Sequence, residues 1–352
     1  MRKLGIAVIG VGVMGRHHAE NLVHRVPEAK LVAVADADLS RAREVAAKLG
    51  IEHFYGTLEE AVARPEVEAV VIATPAKFHP EAICVAAVAG KAILCEKPLA
   101  LTLGEADRAL AAVEKAGVAL QIGFMRRYDP SYADAKKRIE AGEIGDPLIF
   151  KAIGRDPEPP PLSYRQAGQS GGLFLDSSIH EFDLARWLMQ DEVVSVQATG
   201  AVVACPELAA EGDIDVGLVN VRFARGGIGN VESFRQACYG YDIRTEIVGS
   251  KGTLQIGFLG GTPQRVLTSS SVPQDMHRHF LTRFADAYYR EVRDFVQRVL
   301  KGQPPRVSGL DGRHALAIVL AAERSHLESR VVSLDEMPGL QANTKAMHFP
   351  TS

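Results

Sequence analysis

The sequence predicts an α/β Rossmann-type fold, a doubly wound parallel sheet, followed by an α+β domain with an open antiparallel sheet. Three observations carry this. Short apolar runs alternate with helix-period segments over the first 122 residues, a glycine-rich turn joins the first run to the first helix, and after Gly123 strands follow one another directly. The expected division is residues 1–122 for the cofactor domain and 123–338 for the substrate and oligomerisation domain. The last helix should pack back on the first domain, with 339–352 as a tail.

The early runs are Leu4–Gly10, Leu31–Asp36, Ala69–Thr74, Ala92–Cys95 and Val118–Gly123. They are rich in Val, Ile and Ala and do not alternate in polarity, as expected of strands buried on both faces. Between them lie helical candidates at His17–Val26, Ser40–Leu49, Pro80–Ala89 and Leu103–Ala116, with Gly50, Gly90 and Gly117 placed to stop them. Such alternation implies parallel strands joined by right-handed crossovers. The proline run Pro157–Pro161 excludes helix and central strand. Asp176–Met189 then reads as a helix with an apolar stripe of Ile179, Phe182, Leu184, Ala185 and Leu188. From Val193 onward polarity alternates, with turns at Gly226-Gly227 and Gly260-Gly261. Helices over Phe284–Leu300 and Gly312–Glu328 close the chain, and the tail beyond Pro338 reads as extended.

Composition narrows the function classes. Of 352 residues, 47% are hydrophobic and 24% charged, which excludes disorder as the main state. A net charge of −3 offers no basic excess to a phosphate polymer, so nucleic acid is not an expected partner. Cys84, Cys95, Cys205 and Cys238 form no C-x-x-C pair, which argues against a zinc site or a disulfide framework. The N-terminal apolar run is interrupted by glycines and followed by Arg16-His17-His18, unlike a cleaved signal peptide. No stretch reaches the roughly 18–20 apolar residues that span a bilayer. A cytoplasmic enzyme is the expectation, with no membrane partner.

Gly10-Val11-Gly12-Val13-Met14-Gly15 is G-x-G-x-x-G between the first strand and the first helix. Gly10 makes the tight turn, Gly12 lets backbone approach a pyrophosphate, and Gly15 lets helix and strand pack closely. The helix N-terminus meets the phosphates with free N–H groups. Asp36 ends the second strand, 21 residues past Gly15, where a carboxylate accepts from ribose hydroxyls. With Asp38 beside it and no arginine directly following, a 2′-phosphate should be repelled, which favours NAD over NADP. Ala73-Thr74-Pro75 and Glu96-Lys97-Pro98 end two further parallel strands, the edge at which open α/β sheets place ligands.

Asp176, His180 and Asp183 stand at i, i+4 and i+7, on one face of a helix. Three readings of this row compete. It is a divalent-metal site, an acid/base group with orienting carboxylates, or a helix cap with solvated charges in which Asp183 pairs with Arg186. No further ligand lies nearby in sequence, which counts against metal. A histidine suits the proton transfer that alcohol oxidation needs. Asp176 and Asp183 would raise its pKa, with Lys97 opposing.

Gly10-x-Gly12-x-x-Gly15, Thr74-Pro75-x-x-x-His79, Cys95-Glu96-Lys97-Pro98 and Gly171-Gly172…Asp176-x-x-x-His180 together resemble the Gfo/Idh/MocA oxidoreductase family over roughly residues 4 to 334. Gly123–Asp129, Ile179–Asp183 and Tyr239–Asp242 are similar to its inositol-oxidising members. The resemblance implies NAD-dependent oxidation of a secondary hydroxyl of a cyclic polyol, foremost myo-inositol, by a homotetramer in inositol catabolism. Another inositol isomer or a pyranose is the alternative, and a non-catalytic NAD sensor a remote one. It implies Lys97, Asp176 and His180 as catalytic residues, and Arg126, Asp156, Asp183 and Tyr241 beside them around the polyol. Cofactor contacts would come from Gly10, Gly12, Val13, Met14, Gly15, Asp36, Ala73, Thr74, Pro75, His79, Glu96 and Lys97. No metal is implied.

Overall fold

Strand β1 (Leu4–Ile9) feeds α1 (Val13–His24) directly after the glycine turn in a computed structural model that describes residues 2–161, 171–257 and 276–338. There follow β2 (Ala29–Ala35), α2 (Leu39–Leu49), β3 (His53–Tyr55), α3 (Leu58–Val62), β4 (Ala69–Ile72), α4 (His79–Val88), β5 (Ala92–Glu96), α5 (Leu103–Ala116) and β6 (Leu120–Gly123). All six strands pair in parallel in the order β3-β2-β1-β4-β5-β6. Strands β1, β4 and β5 are buried at every position, which their unbroken apolar runs require. Asp38 caps α2, and capping boxes at Thr57–Glu60 and Thr102–Glu105 start α3 and α5. Helix α1 begins four residues earlier than the periodicity predicts, because the glycines themselves form its entry.

The second sheet is built from α6 (Pro130–Glu140), β7 (Pro147–Arg155), a π-helical turn (Phe174–Ser178) running into α7 (Ile179–Met189), and β8 (Val193–Ala201). Then come β9 (Val216–Phe223), β10 (Ile228–Phe234), β11 (Asp242–Gly249), β12 (Thr253–Ile256), α8 (Phe280–Arg283), α9 (Ala285–Lys301), α10 (Gly309–Glu328) and β13 (Val332–Ser333). The order is β12-β11-β7-β10-β9-β8-β13. It is mixed rather than purely antiparallel. Strand β10 closes the β8–β10 meander alongside β7 and runs the same way, so that one pair is parallel. The Gly260-Gly261 turn and the 339–352 tail lie outside the described residues.

Burial alternates along β9, with Val219, Val221 and Phe223 inward and Leu218, Asn220 and Arg222 outward. Helices return from the C-terminal third to the first sheet. Val292, Phe295 and Val296 of α9 join the cluster of Leu4, Ile6 and Val8. Gly309 and Gly312 bring α10 against Leu110, Leu120, Ile122 and Leu99. One apolar core therefore runs through both sheets and holds the ends of β4 and β5 beside α7.

Candidate active site

The strand order reverses between β1 and β4, and the glycine turn sits at that crevice. Gly10 has φ +80°, and a Cβ there would stand 2.8 Å from the Ala73 carbonyl oxygen. A Cβ on Gly15 would fall 1.7 Å from the Gly10 carbonyl oxygen, whereas nothing lies within 4 Å of one on Gly12. The three glycines thus do different jobs: turn, open approach and close packing. Gly12 supplies no side-chain cap to α1, and the first turn carries no acid, so its N–H groups are left for an anion. Val13 is 64% exposed at this mouth, with Met14 beside it half-buried. Ala73, Thr74 and Pro75 line up opposite at the end of β4, and the buried Thr74 Oγ1 has no hydrogen-bond partner among the described residues. An orphan hydroxyl, an uncapped helix and an open glycine fit a dinucleotide.

Asp36 accepts from the Val11 N–H at 2.8 Å and from the Asp38 N–H at 2.9 Å, which fixes its carboxylate at the end of β2. No arginine directly follows the strand, yet one attends Asp36 from the next helix. Arg41, from the first turn of α2, reaches both Asp36 and Asp38 at 3.4 Å. Sequence adjacency hid it, since the helix and not the strand supplies the cation.

Lys97 leaves the end of β5 through a cis Lys97–Pro98 peptide and donates to the Asp176 backbone oxygen at 2.6 Å and to its Oδ1 at 3.4 Å. Asp176 sits in the π-helical turn, and its Oδ2 accepts from Arg235 Nη2 at 3.4 Å. Asp156, just beyond β7, accepts from the Ser177 hydroxyl at 3.3 Å. Burial, with Asp176 close by, pushes its carboxyl up to about 6, against the opposing pull of Arg235 and Arg126. Buried Arg126 hydrogen-bonds Glu181 and lies close enough to Tyr241 to act on its hydroxyl. His180 lies edge-on to Phe124, with ring centroids 6.0 Å apart, and its Nδ1 is buried without a partner among the described residues. Burial, then Arg126 and Lys97, hold the imidazole well below its ordinary pKa. The structure therefore gathers Lys97, Asp176, His180, Asp156, Arg126 and Tyr241 into one polar cluster.

Several expectations change. His180 is shifted down and not up, because burial, Arg126 and Lys97 all disfavour the imidazolium, and Asp176 and Asp183 are engaged by Lys97, Arg235 and Arg127. Asp183 is fully buried with both oxygens on Arg127, whose Nε approaches to 2.8 Å. The π-helical turn takes Asp176 out of the α-helical register with His180, while Asp183, inside α7, pairs with Arg127 instead of Arg186. His79 is buried, its Nδ1 on the Pro98 carbonyl at 2.7 Å and its Nε2 on the Thr74 carbonyl at 2.8 Å, so it pins the ends of β4 and β5 together. Glu96 meets His18 of α1 at 2.6 Å, and burial opposes but His18 and Lys97 hold its carboxyl below the usual range. Glu291 of α9 approaches this pair. The 2.6 Å contact is a charge-assisted hydrogen bond. Arg235, Glu181, Arg41 and His18 were not anticipated. Arg235, Glu181 and His18 meet partners on other elements, at separations of 59, 55 and 78 that carry no local pattern, whereas Arg41 lies close to its partners but inside α2.

Such a crevice beside a lysine, histidine and carboxylate cluster is the site of a nucleotide-dependent oxidoreductase. Residues 4–124 match the model of the oxidoreductase family with an NAD-binding Rossmann fold, and 132–255 match the GFO/IDH/MocA C-terminal domain. The chain is 42% identical over 329 residues to the NAD+-dependent scyllo-inositol 2-dehydrogenase of Bacillus subtilis, covering 94% of this chain and 96% of that one. It is 40% identical over 338 residues to the myo-inositol 2-dehydrogenase of Thermotoga maritima, covering 95% and 99%. The crystal structure of scyllo-inositol dehydrogenase from Lactobacillus casei with NAD(H) and scyllo-inositol superposes with a TM-score of 0.91 at 29% identity, covering 95% of this chain and 100% of that one. This chain belongs to the GFO/IDH/MocA oxidoreductase family and binds NAD. Among the described residues no helix is long and apolar enough to cross a membrane.

Proposed function

We propose that this protein oxidises one axial secondary hydroxyl of myo-inositol to the 2-ketone, with NAD+ as acceptor. The observation that carries the reading is the meeting of Lys97, Asp176 and His180 at the ends of β5 and α7, beside the glycine crevice. When bound, the nicotinamide supplies the hydride acceptor. Gly12 and the α1 N-terminus would hold the pyrophosphate, Asp36 the ribose hydroxyls, and Thr74 Oγ1 a polar atom of the ligand.

Neutral at physiological pH, His180 is ready to take the hydroxyl proton. Lys97 donates to the same oxygen as it acquires charge, and Asp176 aims the ammonium. Asp156, Arg126 and Tyr241 offer an acceptor, a cation and a hydroxyl to the remaining polyol oxygens. The burial that depresses His180 also keeps water from competing for the developing charge.

The outer face of the second sheet carries Leu218 and Ile228, 47% and 51% exposed, and is the surface on which a cytoplasmic homotetramer would assemble. Initial rates of NADH formation across inositol isomers and pyranoses test the reading. Turnover is expected with myo-inositol above the pyranoses, and a pyranose preferred over every inositol would overturn it.

A further inference from the structure

We propose that Arg235 is a positioning residue for this reaction, holding the Asp176 carboxylate from the side away from Lys97. The assignment rests on the roles given above to Lys97 and Asp176. Arg235 directly follows β10 and is fully buried. Its Nη2 lies 3.4 Å from Asp176 Oδ2, the same distance that separates Lys97 Nζ from Oδ1. Each contact is at the long end of a hydrogen bond, so the carboxylate is set by the balance of two cations and not by either alone.

The guanidinium is itself anchored. Nη1 bonds Asp213, whose Oδ1 accepts the Leu173 N–H at 3.0 Å, one residue before the π-helical turn that carries Asp176. The Arg235 N–H donates to the Asp215 carbonyl at 2.9 Å. Asp213 therefore fixes both the entry of the turn and the cation behind it. A planar guanidinium spans the two carboxylates, which an ammonium on a flexible stem does not reproduce. Arg235 also acts on Asp156, which Asp176 repels. Removing it would leave the two carboxylates facing each other with only Lys97 and Arg126 to hold them apart. Lys97, tied to the Asp176 backbone at 2.6 Å, would lose its aim with the turn.

The test is steady-state kinetics on myo-inositol with Arg235→Gln, Arg235→Lys and Asp176→Asn, beside NADH fluorescence titration. Arg235→Gln should lower kcat by about 10²-fold, the scale of an angstrom's misplacement, with NADH affinity and KM for NAD+ unchanged. Arg235→Lys should recover part of that loss, as should added guanidinium with Arg235→Gln. Should Arg235→Gln fail to fold, Asp213→Asn, which frees the guanidinium from its anchor, should still lower kcat at constant KM for NAD+. A native kcat in Arg235→Gln or its stand-in, beside an impaired Asp176→Asn, overturns the role of Arg235 alone. A native kcat in Asp176→Asn removes the reading on which the role rests.

Discussion

At the scale of single residues, environment decides what each ionisable group can do. Buried between Arg126 and Lys97, His180 is held neutral, as the proposed base must be, and its pKa lies well below the ordinary value. Within the polar cluster, Asp156 is pushed up to about 6 by burial and Asp176. It is ionised above that value and protonated below, so if the carboxylate accepts polyol hydroxyls, kcat/KM falls as pH drops through about 6. Asp156→Asn should weaken polyol binding and abolish that limb, and a limb unchanged in the variant would exclude Asp156 as its source. Asp36 is the residue proposed to select the cofactor, with Arg41 leaning on it. NAD+ should be preferred over NADP+ by at least ~10-fold in kcat/KM, a difference of ~1.4 kcal/mol. Asp36→Ala should shrink the preference by removing the carboxylate and freeing Arg41 for a 2′-phosphate. Equal use of both cofactors by the native protein would contradict the role of Asp36.

Among elements, β1, α1 and the turn between them act as one packed unit. Gly15→Ala forces a methyl into the Gly10 carbonyl and should destabilise the protein by about 1–3 kcal/mol or more, with loss of NADH affinity. Gly104→Ala, in open space near the start of α5, should leave the melting temperature unchanged or raised. Thermal unfolding of the pair checks this, and equal melting temperatures would mean that α1 does not pack on the turn as described. The same comparison explains what was legible in the sequence. Buried parallel strands betray themselves by unbroken Val, Ile and Ala runs, and G-x-G-x-x-G followed by Asp36 marks the crevice by local chemistry. Short β3, whose three residues are all half-buried, has no such run. The π-helical turn was hidden because helix periodicity at Asp176 assumes a uniform 3.6 residues per turn. Asp183 meets Arg127 across 56 positions, which no spacing rule could show. Arg235 reaches Asp176 across 59 positions, a pairing made only when β10 settles beside β7.

For the molecule as a whole, the two sheets are bound into one body by α9 and α10, so the nucleotide crevice and the polar cluster keep a fixed relation. The outward face of the second sheet remains free to assemble. Leu218→Asp with Ile228→Asp should shift sedimentation from tetramer to smaller species, and a native protein that sediments as a monomer would rule out the sheet-face assembly.

In the proposed reaction NAD+ in the glycine crevice takes a hydride from an inositol, while His180 takes the hydroxyl proton and Lys97 supports the oxygen. Parallel measurement of NADH formation from myo-inositol and of NADH affinity, in the native protein and in Lys97→Met, tests it most directly. The account predicts steady turnover by the native protein, a kcat lower by about 10²-fold or more in the variant, and unchanged NADH affinity. No NADH from any inositol, or native kcat in Lys97→Met, would contradict it.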